Sequence, residues 1–194
     1  MDKTQPTSAK NRLRAELLQV RRALDSIDKL RWDQDISKHI QEFIQKFPVR
    51  QGVGFLPFPG EPDLRALMGS QTNSVDWGVP LVNVAEGMHV YPWTPSMPLR
   101  KNRYGFWEPE SKGVALSFSI PTLILVPAVG LDRSGHRLGW GKGHYDRFLA
   151  QLDLETCVTM GVVYDACLRE SLPQDPWDIP LRYICTQAGW RPTS

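Results

Sequence analysis

The sequence predicts an α/β fold with a largely parallel, doubly wound sheet and helices on both faces, and three observations carry the prediction. First, Leu123-Ile124-Leu125-Val126 and residues 157–164 are nearly continuous apolar runs of strand length. They lack the alternation of a sheet with one wet face, so they read as strands covered on both sides. Second, segments with a 3.6-residue apolar period are interleaved with such runs, which is the pattern of βα units. Third, the run at 123–126 passes through a glycine-punctuated turn directly into a helical pattern at Tyr145, Phe148, Leu149 and Leu152.

Taken in order, residues 1–47 read as two helices packed on one domain that spans 1–194; 194 residues at 41% apolar composition can bury a single core. The first helix is expected to start at Thr7 or Ser8, after Pro6, with Leu13, Leu17, Val20 and Leu24 as its stripe. Lys10, Arg14 and Arg21 form a second row roughly 70° round the helix, at the rim of the buried face. The second helix is expected over 26–47, with Ile36, Ile40, Phe43, Ile44 and Phe47 inward and His39 structural. Residues 53–56 read as a short core strand. Pro62 then fits the first turn of a short helix through Met68, which places Glu61 just beyond a strand's carboxyl end, where open α/β sheets hold ligands. The plainer reading of Glu61 is an exposed acid favoured by a helix dipole. Strands are expected at 77–82 and 88–93, a loop from Trp93 to Lys101, a strand at 157–164 and a last strand at 182–186.

Composition excludes several classes. Basic residues number 23 against 21 acidic ones, so neither a nucleic-acid surface nor a membrane patch is indicated. The three cysteines, Cys157, Cys167 and Cys185, have no paired spacing and read as reduced core thiols of a cytoplasmic protein. No apolar leader and no stretch of ~18 apolar residues is present. The four histidines lack metal spacing, which excludes zinc, and no Ser/His/Asp or Cys/His constellation is apparent. The chain reads as a monomer acting on a small molecule.

The chemistry concentrates at 127–146. Pro127 breaks the strand, and Gly130, Gly135, Gly139, Gly141 and Gly143 follow before the helical pattern resumes. Strand, glycine turn and helix together gather backbone N–H groups at one point, and Arg137 and Lys142 add positive charge there, which suits phosphate. This is no Walker A loop, since no Ser or Thr follows Lys142, and no dinucleotide fingerprint, since His144 stands at the third glycine position. A tight surface turn that binds nothing is the plainer alternative. Asp146 weighs against it, because a carboxylate beside phosphate-binding cations makes sense as a magnesium ligand.

RLGWGKGHYDRFL, preceded by LILVPAVGLDRSG, resembles the signature of the 5-formyltetrahydrofolate cyclo-ligases, also called 5,10-methenyltetrahydrofolate synthetases. Trp140 and His144 depart from it, where Arg or Met and an aromatic are more familiar. The resemblance implies a three-layer α/β/α sheet of the NagB/RpiA-like group and an ATP- and Mg²⁺-dependent cyclisation of 5-formyltetrahydrofolate. Lys10 and Arg14 match a Lys-x-x-x-Arg pair that reaches the nucleotide, together with Arg137, Leu138, Gly139, Trp140, Gly141, Lys142, Gly143, His144 and Tyr145. Lys142, Arg137 and Tyr145 are the implied catalytic residues. Leu56, Glu61, Tyr104, Trp140 and His144 are the implied contacts to the reduced folate, with Tyr104 in a Tyr-Gly-Phe-Trp-Glu-Pro segment that resembles the family's. Asp146 and Asp178 are the implied metal ligands, with Asp175 as alternative to Asp178. Three other readings stay open: a relative acting on another N-formyl substrate such as a thiamine-related compound, a nucleotide-binding module without catalysis, and a sugar-phosphate isomerase of the same sheet class.

Overall fold

A computed structural model of the chain describes residues 5–70, 74–83, 87–102, 105, 107–110 and 113–194. Helices α1 (Gln5–Ala23) and α2 (Ser26–Lys46) lead into β1 (Gln51–Val53) and the short α3 (Arg65–Met68). Strands β2 (Asp76–Asn83) and β3 (Gly87–Pro92) form a hairpin, followed by a second, small one, β4 (Leu99–Lys101) and β5 (Trp107–Pro109). The chain continues through β6 (Thr122–Pro127), a third hairpin β7 (Gly130–Asp132) and β8 (Arg137–Leu138), α4 (His144–Leu149), and β9 (Cys157–Val162). A 3-10 turn Asp165–Cys167, β10 (Leu168–Arg169), β11 (Tyr183–Thr186) and β12 (Gly189–Pro192) complete it.

Seven strands make the main sheet, in the order β12-β11-β9-β6-β1-β2-β3. The pairs from β11 through β9, β6 and β1 to β2 are parallel, and only the edge strands β12 and β3 run antiparallel. The expected mixed, mainly parallel α/β class is therefore found. Alternate residues of β6 explain its continuous apolar run. Leu123 and Leu125 enter one core with Ile36, Ile40 and Phe43 of α2 and Leu67 of α3. Ile124 and Val126 enter another with Leu17 of α1 and Phe148 and Leu149 of α4. At ~25 cal/mol per Å² of apolar surface, a strand buried on both faces contributes about twice what a half-wet one does.

Several boundaries differ from expectation for physical reasons. α1 is already helical at Gln5, ahead of the expected start at Thr7 or Ser8, and takes in Pro6. The helix expected to begin at Pro62 begins at Arg65, because the Asp63 carboxylate accepts the Arg65 N–H at 3.0 Å and sets the start later. α4 stops at Leu149, although the apolar period continues to Leu152: the Gln151 and Leu152 N–H groups bond to Phe148 and Leu149 carbonyls, a tightened last turn that cannot propagate. The stretch read as a loop from Trp93 to Lys101 ends in β4, and β12 follows the strand expected to be last.

β1 pairs with β2 on one side and β6 on the other, so the sheet order turns at the β1/β6 boundary. In open parallel sheets a crevice forms at such a switch, outside the carboxyl ends of the two strands. Here those ends lead into residues 54–61 and 127–146, the two segments singled out by sequence.

Candidate functional site at the β1/β6 switch

The loop after β1 is tied to the glycine segment after β6 by one carboxylate. Glu61 is 7% exposed. Its Oε2 accepts the Phe58 N–H at 3.0 Å, and its Oε1 accepts the Trp140 indole N–H at 3.0 Å. The Trp140 ring lies against Phe58, with centroids 4.4 Å apart and planes tilted by 46°. Glu61 is thus a fixed, buried acceptor and not the exposed acid of the plainer reading. Leu56, the other substrate candidate of this loop, is half-buried against the α2-side core. Tyr104 lies outside the described residues.

The glycines divide into two groups. Gly130 and Gly135 belong to the β7/β8 hairpin, where a Cβ at Gly135 would stand 2.2 Å from the Leu181 carbonyl oxygen. They shape the hairpin and lie outside any cradle for a ligand. Gly139, Gly141 and Gly143 form the turn into α4, with Gly141 and Gly143 at φ 87° and 66°, conformations that favour glycine. α4 has six residues, so its dipole adds little, and side-chain cations and turn N–H groups carry the positive potential instead. Arg14 reaches this turn from α1: its Nε donates to the Gly139 carbonyl at 2.8 Å and its guanidinium covers Gly141. Lys142 is exposed and enters no ion pair among the described residues. Leu138 is 1% exposed and packs in the α1-side core, so only its backbone faces the turn.

Arg137 pairs with Asp146 and lies 5.6 Å from the Tyr145 ring centroid. Burial, and then the negative charge of Glu61, push the Tyr145 phenol far above its usual value, against the opposing pull of Arg137. Tyr145 therefore stays a neutral O–H donor. Burial, with Arg147 and Lys142 nearby, lowers the His144 imidazole below its usual value, so it is neutral at pH 7. Among the described residues, five buried side-chain polar atoms have no hydrogen-bond partner, and three of them gather here: Arg21 Nη2, Arg137 Nε and Tyr145 Oη. Buried donors without acceptors cost ~1–3 kcal/mol each, a cost that an anionic, oxygen-rich ligand would offset.

Asp178 and Asp175 face Lys10, whose Nζ lies 2.6 Å from an Oδ2 of each. Burial would lower the Lys10 ammonium, but the bonds and charges of the two aspartates outweigh it and raise it. Asp146 and Asp178 are thus each matched with a cation, Arg137 and Lys10 respectively. No group of three or more His, Cys, Asp or Glu gathers as a metal site among the described residues.

Two features escaped the sequence. Arg21, placed at the helix rim by periodicity, is 2% exposed, with Nε donating to the Gly60 carbonyl at 2.9 Å. Its burial depends on partners remote in sequence, so spacing alone could not find it. The other is a cluster of Asp132, Ser134 and His136. Fully buried Asp132 accepts the Ser134 and His136 N–H groups at 3.1 and 2.9 Å, the Ser134 hydroxyl at 2.9 Å and the Leu172 N–H at 3.0 Å. Its lone pairs brace the β7/β8 turn, so this is a structural clamp and not a hydrolytic triad. No helix among the described residues is long and apolar enough to cross a membrane.

The model of the 5-formyltetrahydrofolate cyclo-ligase family matches residues 6–187. A 5-formyltetrahydrofolate cyclo-ligase from Haemophilus influenzae is 26% identical over 179 residues, 90% of this chain and 96% of that one. The Aquifex aeolicus 5,10-methenyltetrahydrofolate synthetase structure superposes with a TM-score of 0.80 at 28% identity, covering 94% of this chain and 92% of the other. A 5,10-methenyltetrahydrofolate synthetase from Mycoplasma pneumoniae gives 0.72 at 26% identity, with 92% and 98% covered. The glycine turn after β6 and a family match across nearly the whole chain lead to one conclusion: this chain belongs to the 5-formyltetrahydrofolate cyclo-ligase family, a family of ligase enzymes.

Proposed function

We propose that the chain converts 5-formyltetrahydrofolate to 5,10-methenyltetrahydrofolate, using ATP and Mg²⁺ and releasing ADP and phosphate. The observation that carries this reading is a pair of buried donors without hydrogen-bond partners, Arg137 Nε and Tyr145 Oη, with the fixed Glu61 carboxylate and a glycine turn covered by Arg14. One end offers a fixed carboxylate for the N–H groups of a pterin ring, and the other offers cations and N–H groups for a triphosphate.

The chemical difficulty is that a formyl amide oxygen is a poor leaving group. Transfer of the γ-phosphoryl group to that oxygen, with ADP as leaving group, makes an imidoyl phosphate; N10 then attacks the activated carbon and gives up its proton to solvent, the C–O bond breaks, and phosphate departs with the oxygen. Phosphoryl transfer asks a protein for positioning and charge stabilisation more than for a nucleophile. Lys142 and Arg137 stabilise charge that spreads over the transferring oxygens, Lys10 and Arg14 bind the triphosphate, and neutral Tyr145 donates its O–H. Trp140, Phe58, Leu56 and His144 enclose the folate ring, with Tyr104 as a further contact. Asp146 and Asp178 are oxygen donors of the kind Mg²⁺ takes beside phosphate oxygens, and each would exchange its present cation for the metal. When bound, Mg²⁺ supplies neutralisation of phosphate charge.

The same reading takes 1–194 as one cytoplasmic, monomeric domain. Cores on both faces of the sheet support its assignment to the three-layer, NagB/RpiA-like class. The test is the absorbance of methenyltetrahydrofolate formed from 5-formyltetrahydrofolate with and without ATP and Mg²⁺. Product that forms only with both supports the reading, and no product from folded protein rejects it.

A further inference from the structure

We propose that Arg21 is a positioning residue that holds the Glu61 carboxylate where the folate ring is read; this rests on the proposed function. A guanidinium that is 2% exposed carries a desolvation cost which its partners must offset. Those partners come from both loops of the switch point. Nε donates to the Gly60 carbonyl at 2.9 Å, after β1, and Nη1 to the Ala128 carbonyl at 3.4 Å, after β6. The fork therefore clips the two strand-end loops together from behind. Its remaining nitrogen, Nη2, has no hydrogen-bond partner among the described residues and stands 3.5 Å from Glu61 Oε1.

That separation matters. At 3.5 Å the guanidinium attracts the carboxylate and fixes its place, yet it does not consume the lone pairs of the carboxylate. The oxygens are left to side-on donors: Phe58 N–H on one, the Trp140 indole N–H on the other, and the N–H groups of an incoming ring. Arg21 also lies 5.8 Å from the Trp140 ring, so one residue supports both the acceptor and the aromatic wall beside it. Packing alone does not call for an arginine here, since an unbranched apolar side chain would fill similar volume without the desolvation cost.

The experiment compares R21M, R21K and E61Q in steady-state kinetics with each substrate varied in turn. R21M is expected to raise the KM for 5-formyltetrahydrofolate about 20-fold, the scale of one charge-assisted interaction, with the KM for ATP within about twofold of wild type. R21K, which keeps the charge and loses the fork, is expected to recover only part of this, leaving the folate KM about fivefold above wild type. The R21M/E61Q double variant is expected to be no worse than E61Q alone. If E61Q raises the folate KM and R21M leaves it unchanged, or if R21M moves both KM values equally, the positioning role is overturned while the reading of Glu61 stands. If E61Q itself leaves the folate KM unchanged in an active enzyme, the Glu61 reading fails and this inference falls with it. Should R21M not fold, R21K decides: a wild-type folate KM overturns the proposal.

Discussion

Lys10 Nζ lies 2.6 Å from Asp178 Oδ2, joining α1 to the loop before β11 across 168 positions of sequence. Asp175 shares the same ammonium at 2.6 Å. Removing the cation in K10M leaves two largely buried carboxylates together, at a cost of about 1.5 kcal/mol, or roughly 3–6 °C in Tm. Because the folded state raises Lys10 above its usual value, the lysine's contribution is complete below pH 10.5 and is lost only as pH climbs through the raised value. The Tm gap between wild type and K10M is therefore expected to stay constant from about pH 6 to 9. Millimolar Mg²⁺ without nucleotide is expected to stabilise K10M and not wild type, as the vacated carboxylates gain a cation; equal shifts in a melting assay would refute the competition.

Tyr145 carries a buried hydroxyl with no partner and a strongly raised phenol. Y145F is expected to keep or slightly raise Tm while kcat/KM falls about 30-fold, ~2 kcal/mol for one donor to the transition state. Because the phenol remains neutral, no Tyr deprotonation limb is expected in the rate up to about pH 10. Unchanged turnover would remove Tyr145 from the chemistry.

Lys142 is exposed and makes no ion pair among the described residues, so its loss costs the fold little. K142A is expected to lower kcat/KM on the order of 100-fold, ~3 kcal/mol, at unchanged Tm. Near-normal kinetics would assign the phosphate role elsewhere.

D146N keeps the shape of Asp146 and removes its charge opposite Arg137. The Mg²⁺ concentration for half-maximal rate is expected to rise about tenfold, with circular dichroism like wild type and a lower Tm because buried Arg137 loses its charged partner. An unaltered magnesium dependence would exclude Asp146 as a ligand.

Trp140 donates to Glu61 at 3.0 Å, so a ring that binds Glu61 competes with an internal donor. W140F keeps an aromatic against Phe58 and removes the N–H. Folate affinity is expected to tighten about fivefold, ~1 kcal/mol, when measured by calorimetry. Weaker binding would mean that the indole N–H contacts the folate directly.

What the sequence made readable followed from local pattern. β6, β9 and α2 lie within a residue or two of expectation, because a strand buried on both faces and a long amphipathic helix each write their period into the chain. Motif and position after a strand single out the glycine turn and Glu61, which the structure joins through the Trp140 indole N–H. The β7/β8 hairpin was not: its strands have three and two residues, too short for any period, and the turn between them is fixed by Asp132. Nor did spacing place Arg21 in the interior, since carbonyls at residues 60 and 128 make that burial tolerable. The contact between Trp140 and Glu61 depends on sheet order, which a strand-by-strand reading does not supply.

The partners of the three α1 cations become available in a fixed sequence during synthesis. Arg21 is matched at residues 60 and 128, Arg14 at Gly139, and Lys10 only at Asp175 and Asp178. Along α1, from its carboxyl end to its amino end, the partners therefore lie ever later in the chain. A chain truncated before residue 175 would lack both carboxylates that hold Lys10 and, with them, the anchor of the amino-terminal part of α1.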